Sequence, residues 1–92
     1  MRNYEIMILI DNTNNKVDEV IDFYKNIIIN NNGNIHKIEN YGIRSLSYSI
    51  NKFKKAYYVV MNIAVPINII KNIENYLKFN SNIIRSLITK IK

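Results

Sequence analysis

The chain has 92 residues, 48% of them hydrophobic, and carries 13 basic against 7 acidic side chains, a net charge of +6. That length makes one small domain, residues 1–92, and that apolar share argues against disorder. Cysteine is absent and His36 is the only histidine, which excludes disulfides, thiolate sites and thiol nucleophiles and leaves no imidazole pair for a metal; no apolar run nears the ~20 residues of a membrane span.

Residues 3–10 alternate, with Tyr4, Ile6, Ile8 and Ile10 on one side and Glu5, Met7 and Leu9 on the other. This pattern predicts a strand. Asp11-Asn12-Thr13-Asn14 reads as a turn, and Asn15 as the N-cap of a helix whose first turn holds Asp18. Val17, Val20, Ile21, Tyr24, Ile27 and Ile28 then recur at helical spacing. The helix should stop near Asn30–Gly33, where Asn and Gly tolerate a left-handed cap.

Residues 35–50 predict a long, interrupted second strand, in which Gly42 marks a bulge or bend. The segment from Asn51 to Lys55 reads as a basic hairpin connector, and residues 56–64 as a central strand, apolar at nearly every position. Pro66 should open the second helix. Its apolar face is Ile69, Ile70, Ile73, Tyr76 and Leu77, and Phe79-Asn80-Ser81 ends it. A last strand follows from Asn82, with Ile84 and Ile88 on one side and Ile83, Arg85, Leu87 and Thr89 on the other.

The order strand, helix, strand, strand, helix, strand is the α+β, ferredoxin-like split βαβ plan (βαββαβ). Right-handed crossovers give a four-stranded antiparallel sheet of order 4-1-3-2 with both helices on one face. The other face cannot be merely polar, because both sides of the first and third strands carry Met, Leu, Tyr and Val. It is expected to be an apolar, basic-edged binding surface.

The net charge favours a polyanionic partner, above all nucleic acid, although AT-rich codons also inflate the lysine count. Lys52, Lys54 and Lys55, with Phe53 between them, suit phosphate contact plus stacking. A solvated loop is the plainer reading of the same residues. Arginine is scarce here, so Arg2, Arg44 and Arg85 stand out as bidentate phosphate ligands or packed ion-pair members. Lys90 and Lys92 form a basic end. Tyr57 and Tyr58 match the stacking pattern of an RNA recognition motif poorly and read as core. Without a Gly-rich phosphate loop, a second histidine or a close carboxylate pair, no catalytic residue, metal site or cofactor is expected, and no enzyme.

The string Gly42-Ile43-Arg44-Ser45-Leu46-Ser47-Tyr48-Ser49-Ile50-Asn51 resembles the signature of the bacterial small ribosomal subunit protein six family. Met1-Arg2-Asn3-Tyr4-Glu5, Lys55-Ala56-Tyr57-Tyr58-Val59, Met61-Asn62, Phe79-Asn80 and Ile84-Arg85-Ser86 are also similar to it, in order and spread over the whole chain. The resemblance implies a structural constituent of the small ribosomal subunit, located on cytoplasmic or organelle ribosomes. It further implies binding to the central domain of small-subunit ribosomal RNA beside small-subunit protein eighteen, with no membrane or small-molecule substrate.

Arg2, Arg44 and Arg85 fall on family-like basic positions. Lys52, Lys54, Lys55, Lys90 and Lys92 complete the expected RNA-binding set, with Tyr48 and Ile50 facing the partner. Two departures stand out. Ser49 replaces a common family proline and leaves an edge-strand donor free. The chain stops at Lys92, so no role tied to an acidic tail carries over. The rival readings are an RNA recognition motif-like domain and a small-molecule-binding ferredoxin-like domain, including an acyl-phosphate hydrolase. The acidic loop after the first strand disfavours the last.

Overall fold

A computed structural model describes residues 1–13, 15–50 and 52–91. Six elements follow one another: β1 (Arg2–Ile10), α1 (Val17–Asn30), β2 (Asn34–Ile50), β3 (Phe53–Val65), α2 (Ile67–Phe79) and β4 (Ile83–Ile91). The sheet runs β2-β3-β1-β4, and all three neighbouring pairs are antiparallel. This is the anticipated 4-1-3-2 order read from the other edge. The core lies between the sheet and the helices. Tyr4, Ile6, Ile8 and Ile10 of β1 and Val59, Met61, Ile63 and Val65 of β3 meet Val20, Ile21, Tyr24 and Ile28 of α1 and Ile69, Ile70, Ile73 and Leu77 of α2. Each fully buried Ile or Val contributes about 1.5–3 kcal/mol relative to exposure. No polar or charged residue is wholly buried among the described residues.

The ends of α1 show where local chemistry departs from simple pattern. Asn15 is not the N-cap; Lys16 is, with no side-chain cap hydrogen bond. Asn15 instead takes a left-handed conformation at φ 57°, which asparagine tolerates better than most residues. Before it, Asp11 Oδ1 accepts hydrogen bonds from the Thr13 backbone N–H at 2.9 Å and the Thr13 hydroxyl at 2.6 Å, an Asx turn.

At the other end, the Asn32 N–H donates to the Ile29 carbonyl at 3.2 Å and the Gly33 N–H to the Ile28 carbonyl at 2.8 Å. This is the Schellman pattern, with Asn32 as the left-handed residue at φ 63°. Gly33 serves a different need. A Cβ there would lie 2.7 Å from Val65 Cγ1 and 2.8 Å from the Ile28 carbonyl oxygen, so only glycine lets the helix exit pass this close to β3.

Other boundaries also moved. Pro66 is the N-cap of α2 rather than its first helical residue, and its carbonyl accepts from the Ile69 and Ile70 N–H groups at 3.0 and 3.4 Å. Tyr76, expected in the buried face, is 48% exposed and meets Phe23 edge-on at 5.6 Å. β3 begins at Phe53, which pairs with Ile50, so Lys54 and Lys55 belong to a strand and not to the connector. In β4, the register shifts so that Leu9 pairs with Arg85 and Ile10 with Ile83. The bulge turns Ile83 toward the core, against the alternation expected of it.

The β2–β3 hairpin is longer than the sheet it belongs to. The last β1–β3 pair is Ile10 with Tyr57, whereas β2 and β3 continue pairing to Ile50 and Phe53. The four residues of β3 from Phe53 to Ala56 project ~13 Å past β1 at the usual strand rise. From Asn40 to Ile73 the chain has no acidic residue.

Candidate nucleic-acid and partner interface

The face of the sheet away from the helices is open, and the register lays it out in rows. Lys37, Asn62, Glu5 and Thr89 form one row across the four strands; Glu39, Val60, Met7 and Leu87 form the next; Gly42, Tyr58, Leu9 and Arg85 form a third. The expected apolar surface is therefore a band of Val60, Met7, Leu87 and Tyr58, in which Leu87 is 57% exposed. It is not basic-edged throughout. Glu5 and Glu39 place two carboxylates beside the band, and Arg44 and Arg85 lie toward the hairpin end.

Gly42 shapes this corner. Its φ of 74° and the register shift between Asn40 and Gly42 make a bulge in β2, as its place in the strand pattern foretold. Around the bulge, the Tyr41 ring meets Tyr58 edge-on at 5.3 Å. The Tyr41 hydroxyl donates to Glu39 Oε2 at 2.8 Å, and Lys37 Nζ pairs with Glu39 Oε1 at 3.4 Å. The Tyr41 hydroxyl, with Lys37 behind it, holds the Glu39 carboxyl below the usual range. The same hydrogen bond pushes the Tyr41 phenol up. Arg44 Nε donates to the Tyr41 carbonyl at 3.0 Å, and its guanidinium lies 5.8 Å from the Tyr41 ring centre. Arg44 is thus oriented by its own strand.

The cations singled out by sequence fall into two groups. Arg44 and Arg85 lie on the open face at the hairpin end, and Lys52, Lys54 and Lys55 continue onto the projecting arm, Lys52 in a left-handed turn at φ 71°. Arg2 and Lys90 are at the opposite end, on the helix side, since Arg2 pairs with Val65 and Tyr4 with Lys90. The length of β1, ~26 Å at strand rise, separates the groups. Lys92 lies outside the described residues. Tyr48, 67% exposed, and the half-buried Ile50 both sit on the arm.

Tyr57 packs against the core as expected, but Tyr58 does not and belongs to the open face. Sequence reasoning missed the grouping of Glu5, Glu39, Tyr41 and Tyr58. The alternation of the first strand did put Glu5 outward, yet the bulge hid which way Tyr41 turns. His36 is exposed, and no cluster that could hold a metal occurs among the described residues.

A two-helix layer behind an open four-stranded sheet, with a basic arm, defines a ferredoxin-like α+β domain with one sheet face left uncovered. Its relatives make the class specific. The chain matches the Ribosomal protein S6 family over residues 3–90 and belongs to that family. It is 42% identical over 93 aligned residues to small ribosomal subunit protein bS6 of Blochmanniella floridana, covering all of this chain and 78% of that one. Against bS6 of Buchnera aphidicola subsp. Acyrthosiphon pisum (strain Tuc7), identity is 44%, covering all of this chain and 82% of the relative.

In three dimensions it is similar to the crystal structure of 30S ribosomal protein S6 from Thermotoga maritima. The TM-score is 0.90 at 27% identity, over 98% of this chain and 87% of that one. The chain is accordingly a protein of the small ribosomal subunit, a component of the ribonucleoprotein that carries out translation. No helix among the described residues is long and apolar enough to cross a membrane.

Proposed function

We propose that this chain is a non-catalytic ribosomal RNA-binding protein that grips the central domain of small-subunit RNA with its basic arm, beside small-subunit protein eighteen. One observation supports the reading most directly. Arg44, Lys52, Lys54 and Lys55 sit on a hairpin that outreaches the sheet, within a stretch from Asn40 to Ile73 that has no acidic residue. A narrow projecting arm of one charge sign suits the phosphate backbone of a folded RNA, where shape and phosphate position are read rather than base sequence.

Arg85 extends the patch onto the open face, and Arg2 and Lys90 supply a second, separate contact. The band around Met7, Val60 and Leu87 favours a protein neighbour over RNA, because carboxylates flank it. Tyr48 and Ile50 belong to the same partner-facing set by their place on the arm. The RNA recognition motif reading is disfavoured, because Tyr58 is the one aromatic residue that β1 and β3 present on the open face.

The test is RNA binding against salt, with protein eighteen present. If the four cations of the arm and Arg85 beside it each displace counterions from one phosphate, log affinity should fall with log salt at a slope of about −3.5 to −4.5. Neutralising Lys54 and Lys55 should flatten that slope by about 1–2. A slope near zero, or one that the double variant leaves unchanged, would remove the arm from the RNA contact.

A further inference from the structure

We propose that the concavity on the open face between Glu5 and Glu39 seats an arginine side chain of a basic protein partner. The inference deepens the docking reading of this face and rests on it. The hollow has a volume of about 690 Å³, with Leu9 and Val60 among its apolar lining, Tyr41 and Tyr58 as aromatic walls, and Glu5, Glu39 and the chain's own Arg44 as its charged lining. Three features select a cation.

Glu5 stands in the middle of the sheet with no ion pair among the described residues, although the chain carries an excess of positive charge. Its cross-strand neighbour Asn62 has a buried side-chain carbonyl oxygen with no hydrogen-bond donor. Glu39 is tied to Tyr41 and Lys37, which orients it and leaves its remaining lone pairs for a further donor. Arg44 borders the hollow on its hairpin side, but two carboxylates against one guanidinium make its floor a poor seat for phosphate.

Shape and chemistry then favour arginine over lysine. A planar guanidinium stacks on a tyrosine face and offers five donors in a fixed fork, whereas an ammonium is a compact, strongly hydrated point charge. The Tyr41 ring already lies beside the guanidinium of Arg44. Arg44 itself is committed by its Nε hydrogen bond to the Tyr41 carbonyl. The hollow adjoins the half-exposed band of Met7, Val60 and Leu87, so the incoming arginine would be flanked by apolar contact. A central charged anchor surrounded by water-excluding apolar residues is the arrangement found at binding hot spots.

The experiment uses the full chain with purified protein eighteen as probe, labelled with ¹⁵N and ¹³C in its arginines only. Binding to the wild-type chain should slow one guanidinium's exchange and give contacts from it to the Tyr58 ring. The double substitution Glu5→Gln and Glu39→Gln should abolish both signals and weaken binding at least tenfold. Leu87→Ser should weaken binding while keeping the guanidinium signal. Circular dichroism of each variant checks folding. Equal affinity for the double variant, or binding without any arginine signal at Tyr58, overturns the inference and leaves the docking reading intact. Failure of the wild-type chain to bind protein eighteen overturns both. If ribosomal RNA alone, with no protein present, instead shields Tyr58 and Leu87 of the wild-type chain, the face is an RNA surface and the inference fails.

Discussion

Gly33 and Gly42 are both glycines for reasons that substitution can separate. At Gly33 the constraint is space: an added Cβ would meet Val65 Cγ1 at 2.7 Å, the Ile28 carbonyl at 2.8 Å and Ile28 Cγ2 at 2.9 Å. One of these atoms is backbone in the helix cap, so relief requires α1 to move from β3. Overpacking of this kind costs about 1–3 kcal/mol. At Gly42 there is nothing within 4 Å, but φ is 74°, and a left-handed alanine costs about 1–2 kcal/mol.

The two alanine variants thus resemble one another in magnitude, each lowering Tm by about 4–8 °C per kcal/mol in a domain of this size. Asparagine separates them. It tolerates the left-handed region, so Gly42→Asn should recover much of the loss seen for Gly42→Ala. At Gly33 the larger side chain should be worse than alanine. Urea unfolding followed by circular dichroism gives the four values. The same alanine–asparagine ordering at both sites would refute the assignment of a steric cause to one and a conformational cause to the other.

Other outcomes follow from the core and the open face. Ile73→Ala removes a fully buried side chain between α2 and the sheet and should cost about 2–5 kcal/mol by chemical denaturation. Tyr24→Phe loses only a 3.4 Å hydrogen bond donated by Asn80 Nδ2, so the change should stay below about 1 kcal/mol. Glu39 titrates below its ordinary value, so its favourable contacts are present above the unfolded pKa and fade as pH falls through the lower folded one. Tyr41→Phe should raise that titration toward the ordinary range while Lys37 keeps part of the depression. Carbon-detected NMR of the Glu39 carboxyl reads it directly, and an unmoved midpoint would show that the tyrosine hydroxyl is not the cause.

The element order and sheet topology were legible because period-2 and period-3.6 patterns are set by burial on one face, and burial here is strong: Ile6, Ile8, Met61 and Ile63 are almost completely enclosed. What the pattern missed depends on single backbone choices. Asn15, Asn32 and Lys52 take positive φ, and nothing in a hydrophobicity pattern says which asparagine of a run will do so. The bulge in β4 reversed Ile83, since one extra residue flips the parity of everything beyond it.

The candidate cations could be singled out one by one in the sequence, but not their arrangement as a group. Arg44 and Arg85 sit on one strand end because β2 and β4 are both antiparallel to their neighbours, whereas Arg2 ends up a strand length away. The pairing of Glu5 with Asn62, and the place of Tyr58 opposite Tyr41, exist only once the register is known.

Oxidative side-chain footprinting of small subunits, compared with the free chain, puts the docking account at greatest risk. Tyr48 on the arm and Leu87 on the open sheet should lose reactivity on assembly, while Phe79 and Tyr76 of the helix layer, both well exposed, should keep theirs. Shielding of Phe79 and Tyr76 with Tyr48 and Leu87 still reactive would mean that the molecule docks through its helices, and the account given for the sheet face and the basic arm would be wrong.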